Sequence, residues 1–368
     1  MSITHMRSLR GVTIIVTLAV IVMAGAIRVT TAESAKVAKP KLGMLLALTG
    51  IPFSAATSDG GKDGAKAAGA SLTITGPPTI DPTTALKNFS DLAATKPNGV
   101  VVFPIPADLW AKPLRDAQAK GIKIAAIHVP LPTSSKVPLY VGMREKEAAS
   151  KLAEVVAKKL GKSAKGEIVL GIGPAGEPVN ENRILGYKET LKRLLPNVKV
   201  TGPLTTGNEP TANRAAWTQI FNRYPDALAY LGTTDQDSGS LAYLKRTRGG
   251  DTLVGAFDPS KANGALQAIA SGKMLAAVGQ QPYIRGYIAT RVLGEASKAG
   301  VPVPKGWFDT GIEIVTKSNV TAIGKRDASL AATRSYYKAR IAKWFGKGLS
   351  GLPLKPLKDV ALAPVPKS

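Results

Sequence analysis

The chain has 368 residues, of which 44% are hydrophobic, and its 49 Lys and Arg against 25 Asp and Glu give a formal net charge of +24. With no cysteine and two histidines, disulfides, thiol catalysis, cysteine-based metal sites and a lipid-modified cysteine anchor are excluded. The basic balance raises nucleic acid as a partner, but Lys and Arg are scattered among few aromatics (5%) without a long basic block, the pattern of a solvated surface, so none is expected.

In chain order, Arg7 and Arg10 precede an apolar run from Val12 to Met23 and then small residues, which reads as a signal peptide over residues 1–32. Cleavage after Ala32 with Thr30 three positions from the cut, or after Ala26 with Ala24, satisfies the small-residue rule; the competing reading is an uncleaved anchor over residues 11–27. Removing the three arginines of that segment, Arg7, Arg10 and Arg28, lowers the charge from +24 to about +21. Export would place the protein in the periplasm.

Short apolar runs then alternate with amphipathic segments. Strands are expected at 41–49, 71–75, 99–103, 123–127, 139–142, 166–172, 198–205, 227–231, 252–257 and 275–279. The clearest helices are expected at 83–94, 109–120, 145–160, 181–194, 211–223, 260–271 and 283–298. Apolar strands without polar alternation, separated by helices, imply parallel sheets covered on both faces, an α/β fold class. The alternation restarts after Gly142, as if a second α/β unit began there. A terminal helix is expected at 328–345, where Leu330, Tyr337, Ile341 and Phe345 recur at helical spacing. The Pro/Gly/Lys-rich tail 346–368 should run irregularly.

Residues 166–187, "GEIVLGIGPAGEPVNENRILGY", form an apolar strand, a Gly/Pro loop and a helix start carrying Arg183. Three further segments follow in order: "LGTTDQD" at 231–237, "GAFD" at 255–258 and "GQQP" at 279–282. This set resembles the periplasmic sugar-binding proteins of the ribose type, substrate-binding proteins of ABC transporters with the type I periplasmic-binding fold. The resemblance implies two Rossmann-like lobes joined by three hinge crossings, with the ligand cleft between them. The crossings fall near Gly142 to Met143, Gln280 to Gln281 and Asp309 to Gly311. Lobe 1 would be 41–142 plus 281–309, and lobe 2 143–280 plus 310–327. The implied function is capture of a small polar ligand, a sugar first, by hinge closure and delivery to an ABC transporter permease, by a monomer without cofactor or metal. The alternatives are a sensor serving a chemoreceptor or kinase, and a binder of a non-sugar polar or anionic solute.

Several residues carry the ligand-binding expectation. Arg183 would offer a planar fork of donors, and Asp258 would accept from two neighbouring hydroxyls. A cation gains nothing from a helix start, so Arg183 has little structural reason to be there, whereas Asp258 could equally cap the helix after it. Gln280 is either a ligand contact or a hinge residue bonding backbone. Asp235 occupies the acidic position of the family's Asn-Asp pair, with Thr234 where the Asn would be. Phe53, in "ALTGIPFSAA", either stacks on a ring or plugs its loop. His128 and Val129 stand where ribose binders carry an Asp-Arg pair. His128 either hydrogen-bonds the ligand in one of its tautomers, becomes cationic below about pH 6.5 and favours an anion, or is a half-buried loop residue. Asp108 reads first as a helix cap and Trp110 as helix packing.

Other classes lack their residues. Gly171, Gly173 and Gly176 match the dinucleotide spacing, yet the next strand ends without the ribose-binding acid. A catalytic triad would depend on His128, without a nucleophile elbow. An enzyme is not expected.

Overall fold

The computed structural model describes residues 39–360; the expected signal segment and residues 361–368 lie outside the described residues. In chain order the first half builds β1 (Lys41–Leu45), α1 (Pro52–Ala68), β2 (Ser71–Thr75), α2 (Pro82–Ala94), β3 (Gly99–Val102), α3 (Ala111–Ala119), β4 (Lys123–Ile127) and β5 (Leu139–Gly142). There follow α4 (Glu145–Leu160), β6 (Gly166–Ile172), α5 (Pro178–Leu194), β7 (Val198–Thr205), α6 (Pro210–Arg223), β8 (Ala229–Leu231), α7 (Asp235–Arg248), β9 (Leu253–Phe257), α8 (Ala265–Ala270) and β10 (Ala276–Gly279). The chain ends with α9 (Pro282–Lys298), β11 (Gly306–Asp309), β12 (Glu313–Thr316), α10 (Val320–Arg326), α11 (Leu330–Phe345) and β13 (Leu354–Lys355).

These strands form two sheets, ordered β13-β11-β5-β4-β3-β1-β2 and β12-β10-β9-β8-β6-β7. All pairings are parallel except β10 with β12 and β11 with β13. The central strands are buried along their whole length, as sheets covered by helices on both faces require. Each sheet and its helices make one lobe. The chain passes between lobes after Gly142, after Gly279 and after Asp309. These passages are joined to one another: Thr310 N–H and the Trp307 indole N–H both donate to the Gly142 carbonyl, at 2.9 and 3.0 Å, and the Gln281 amide donates to the Thr310 carbonyl at 2.8 Å.

The closest helix pair of the first lobe is α1 with α9. A Cβ at Gly60 would stand 1.9 Å from the Tyr283 carbonyl oxygen, and one at Gly286 2.0 Å from that of Thr57. Only glycine allows backbones this close, at a cost in helix propensity of about 1 kcal/mol per residue. The contact aligns the first turns of both helices, which carry Phe53 and Arg285, beside the cleft.

The C-terminal residues depart from the irregular tail expected of them. After α11, Gly348–Gly351 and Leu357–Val360 form 3-10 turns and β13 pairs with β11. Leu352 and Val360 are buried in first-lobe clusters, so burial of apolar side chains has overridden the breaker residues between them. Helix α10 packs in the second lobe through Val320 and Ile323, whereas α11 packs on the first through Tyr337 and Phe345. Residues 327–329 therefore cross between the lobes a fourth time. Arg334 of α11 makes a bidentate pair with Asp63 of α1, both contacts at 2.7 Å. The Tyr337 ring stacks on Tyr283 at 5.6 Å, and its hydroxyl donates to Gln281 at 3.1 Å.

Candidate functional site

The loops after the strands of both sheets meet around a cavity with about 590 Å3 of empty space, open mouth included. This is where open α/β sheets place ligands. All seven residues singled out from sequence line it: Phe53, His128, Arg183, Thr234, Asp235, Asp258 and Gln280. Trp110 does not; it is fully buried edge-on against Phe89, and Asp108 makes no cap bond.

Arg183 is 2% exposed, and its structural role is larger than its helix position suggested. Its Nε donates to Glu145 Oε2 at 2.8 Å, Nη2 lies 2.7 Å from the same oxygen, and Nη1 donates to the Thr233 carbonyl. The guanidinium also lies 3.9 Å from the Phe257 ring centroid. Burial opposes its charge, but Glu145 and Asp258 outweigh it and hold the pKa above the ordinary arginine value. Glu145, first residue of α4, was not visible as a site residue in the sequence.

A second buried cation, Arg285, also escaped sequence reading. It is wholly buried and donates to His128 Nδ1 and to Gln280 Oε1, and among the described residues no carboxylate pairs with it and its Nε has no partner. Its contact fixes His128: a ring nitrogen that accepts from a guanidinium is unprotonated, so the other nitrogen carries the proton. Burial, and then the charge of Arg285, push the His128 pKa well below its usual value. The reading of His128 as a cation that favours anions is thereby corrected. Gln280 bridges the two sides, donating to Asp258 and accepting from Arg285.

The carboxylates divide sharply. Asp237 is wholly buried and receives five hydrogen bonds, from Thr206, Asn213 and Trp217 side chains and from Thr233 and Thr234 N–H. It also closes a capping box with Thr234, whose hydroxyl caps α7. Asp258, by contrast, receives one side-chain hydrogen bond, from Gln280, and burial raises its pKa to about 7. Burial likewise raises Glu177 to about 7 and Asp235 to about 6. Glu177 caps α5 through Oε2, and its Oε1 is buried with no partner among the described residues. His128, Asp258 and Gln281 all have φ near +60° (65°, 55° and 55°), a conformation that costs energy for non-glycine residues and gathers at functional sites.

Residues 42–300 match the family model described as "Periplasmic binding protein domain". The chain belongs to that family. A curated "Xylose/arabinose-binding protein XylF" of Sulfolobus acidocaldarius is 24% identical over 289 residues, 74% of this chain and 70% of that one. Among solved structures, an ABC transporter solute-binding protein of Burkholderia graminis in complex with D-arabinose superposes with a TM-score of 0.71 at 22% identity, covering 78% of this chain and 98% of that one. One of Agrobacterium vitis bound with alpha-D-tagatopyranose gives 0.69 at 21% identity, covering 80% and 98%. The family is extracytoplasmic and consists of substrate-binding proteins, not enzymes.

In this binding protein two of the glycines of the dinucleotide-like spacing serve packing, a Cβ at Gly171 standing 2.3 Å from Trp217 and one at Gly173 2.5 Å from Thr234, while Gly176 supplies a positive φ of 79°. Among the described residues no group of three His, Asp or Glu side chains is placed to hold a metal ion. What the cavity presents is three carboxyl groups, Glu177, Asp235 and Asp258, beside the amides of Asn180, Asn208 and Gln236 and the guanidinium of Arg183.

Proposed function

We propose that this protein is an exported, monomeric solute-binding protein that captures a sugar between its lobes and hands it to an ABC transporter permease. One observation supports this most strongly: the polar side chains converging on the cleft are incompletely satisfied by one another, Glu177 Oε1 being buried without a partner among the described residues and Asp258 having a single side-chain donor. A buried acceptor without a donor costs about 1–3 kcal/mol, and ligand hydroxyls are the donors that would remove this cost. The relatives that bind arabinose or tagatose point to the same ligand class.

Capture follows from the division of the site between lobes. Only the closed arrangement brings every lining group against the ligand, so ligand shifts the lobes towards closure by its differential affinity. Arg183 and Arg285 are held by protein contacts before ligand arrives, which limits reorganisation on binding. Export rests on the basic, apolar and small-residue order of residues 1–32, with Glu33 as the first mature residue.

A thermal-shift screen over pentoses, hexoses and polyols tests capture, since ligand at a hundred times Kd stabilises by about 2.7 kcal/mol. A binding sugar should also reduce the radius of gyration in small-angle scattering and be recovered unaltered. No stabilisation by any sugar, or conversion of one, would overturn the reading.

A further inference from the structure

The two walls of the cleft differ in chemistry. Of the seven lining residues from the first lobe, six are hydrocarbon or aromatic: Leu48, Ile51, Phe53, Ile80, Phe103 and Ile105; the seventh is His128. Of the ten from the second lobe, all but Pro174 are polar. His128 Nδ1 already accepts from Arg285, and its ring is the one polar side chain on this first-lobe wall.

The first-lobe wall is also not a flat aromatic platform. Phe53 and Phe103 are tilted at 57° with centroids 6.1 Å apart, and His128 meets both edge-on, at 5.3 and 4.6 Å. The two rings are nearly buried, at 8% and 3% exposure. Leu48, Ile51, Ile80 and Ile105 line the same wall and are partly exposed, so branched aliphatic groups form much of it. A hydroxyl pressed against it would lose water and gain no partner, at a cost of roughly tenfold to a hundredfold in affinity. A methyl or larger hydrocarbon group there gains instead from leaving water.

We infer that the ligand is two-faced: hydroxylated along the edge that meets the second lobe, and deoxygenated or alkylated along the edge that meets the first, as in a deoxysugar or an alkyl glycoside. This deepens the sugar-capture reading and rests on it. The second-lobe acceptors, Asp235 and Asp258, would hold the hydroxyls, while the aliphatic wall selects against sugars that are hydroxylated all round.

Calorimetric titration of the full chain with matched pairs tests this: D-galactose with 6-deoxy-D-galactose, D-glucose with 6-deoxy-D-glucose, and D-xylose with its methyl glycoside. In at least one pair the deoxygenated or methylated member should bind about tenfold more tightly. Ile80→Asn and Ile105→Asn, both partly exposed positions, should shrink that ratio to threefold or less with unchanged melting of the unliganded protein. Should either variant melt early, Ile80→Ala and Ile105→Ala provide the same readout by removing hydrocarbon alone. If the fully hydroxylated member binds as tightly or more tightly in every pair, the two-faced ligand is overturned and sugar capture stands. If no member of any pair binds and the wider sugar screen is also blank, both readings fall.

Discussion

Asp237 and Asp258 sit in the same lobe, in the loops or first helical turns that follow neighbouring strands β8 and β9, and face opposite fates. Asp237 is saturated by five donors from the protein itself; Asp258 has one side-chain donor and a raised pKa. A buried carboxylate whose lone pairs are all occupied belongs to the fold. One left short of donors costs stability, and persists where something outside the chain completes it. The same test separates Arg183, paired with Glu145, from Arg285, which lacks a carboxylate partner.

The comparison breaks first at Asp237. Asp237→Ala removes the acceptor for two backbone and three side-chain donors, so we expect a loss of about 3–5 kcal/mol in denaturant unfolding. A loss below about 1 kcal/mol would mean that the network is ornamental. Asp258→Ala should do the reverse, weakening sugar binding by about 2 kcal/mol, roughly thirtyfold, while leaving the unliganded fold at least as stable. Equal affinity of both proteins in calorimetry would remove Asp258 from the site.

The pH dependence sharpens the contrast. Because burial raises the pKa of Asp258 to about 7, above the ordinary aspartate value of 3.8, the folded state retains a proton that the unfolded chain gives up. Its contribution is intact below about pH 4 and is lost as pH rises towards 7. Asp258→Asn cannot lose it, so the variant should gain on the wild type steadily as pH rises from 4 to 7.5, measured by urea unfolding at each pH. A constant difference would show that the carboxyl is ionised and solvated. The smallest effect is expected at Tyr337→Phe, which deletes one hydrogen bond to Gln281 and should cost about 0.5–1 kcal/mol of stability.

Much of this arrangement is legible in the sequence because apolar runs such as "GVVVF" and "EIVLGI" have no polar alternation and announce buried parallel strands. The loops at their carboxyl ends then locate the cleft, and with it all seven expected residues. Helix α1 is harder to see, since Gly60, Gly61 and Gly64 lower helix propensity for the sake of contacts that only the folded pair α1 and α9 reveals. Arg285 was overlooked although the reasoning applied to Arg183 covers it: it too is a cation near the start of a helix that opens with proline. Glu145 carries no local signal, because an acid in the first turn of a helix is ordinary and its partner Arg183 lies 38 residues away; Asp237 shows locally only as the acid of a capping box with Thr234, its side-chain donors lying 20 to 31 residues away.

Helix α11 lies beyond residue 300, where the family match ends. It is riveted to the first lobe by Arg334 and Asp63 while its leading residues 327–329 come from the second. If the lobes close on ligand as proposed, such a brace would set the resting balance between open and shut. Apparent affinity equals intrinsic affinity scaled by the fraction of molecules ready to bind. Under that closure the grip on the ligand would be tunable from the far end of the chain, through residues that never meet it, leaving the selectivity of the cleft walls as it was.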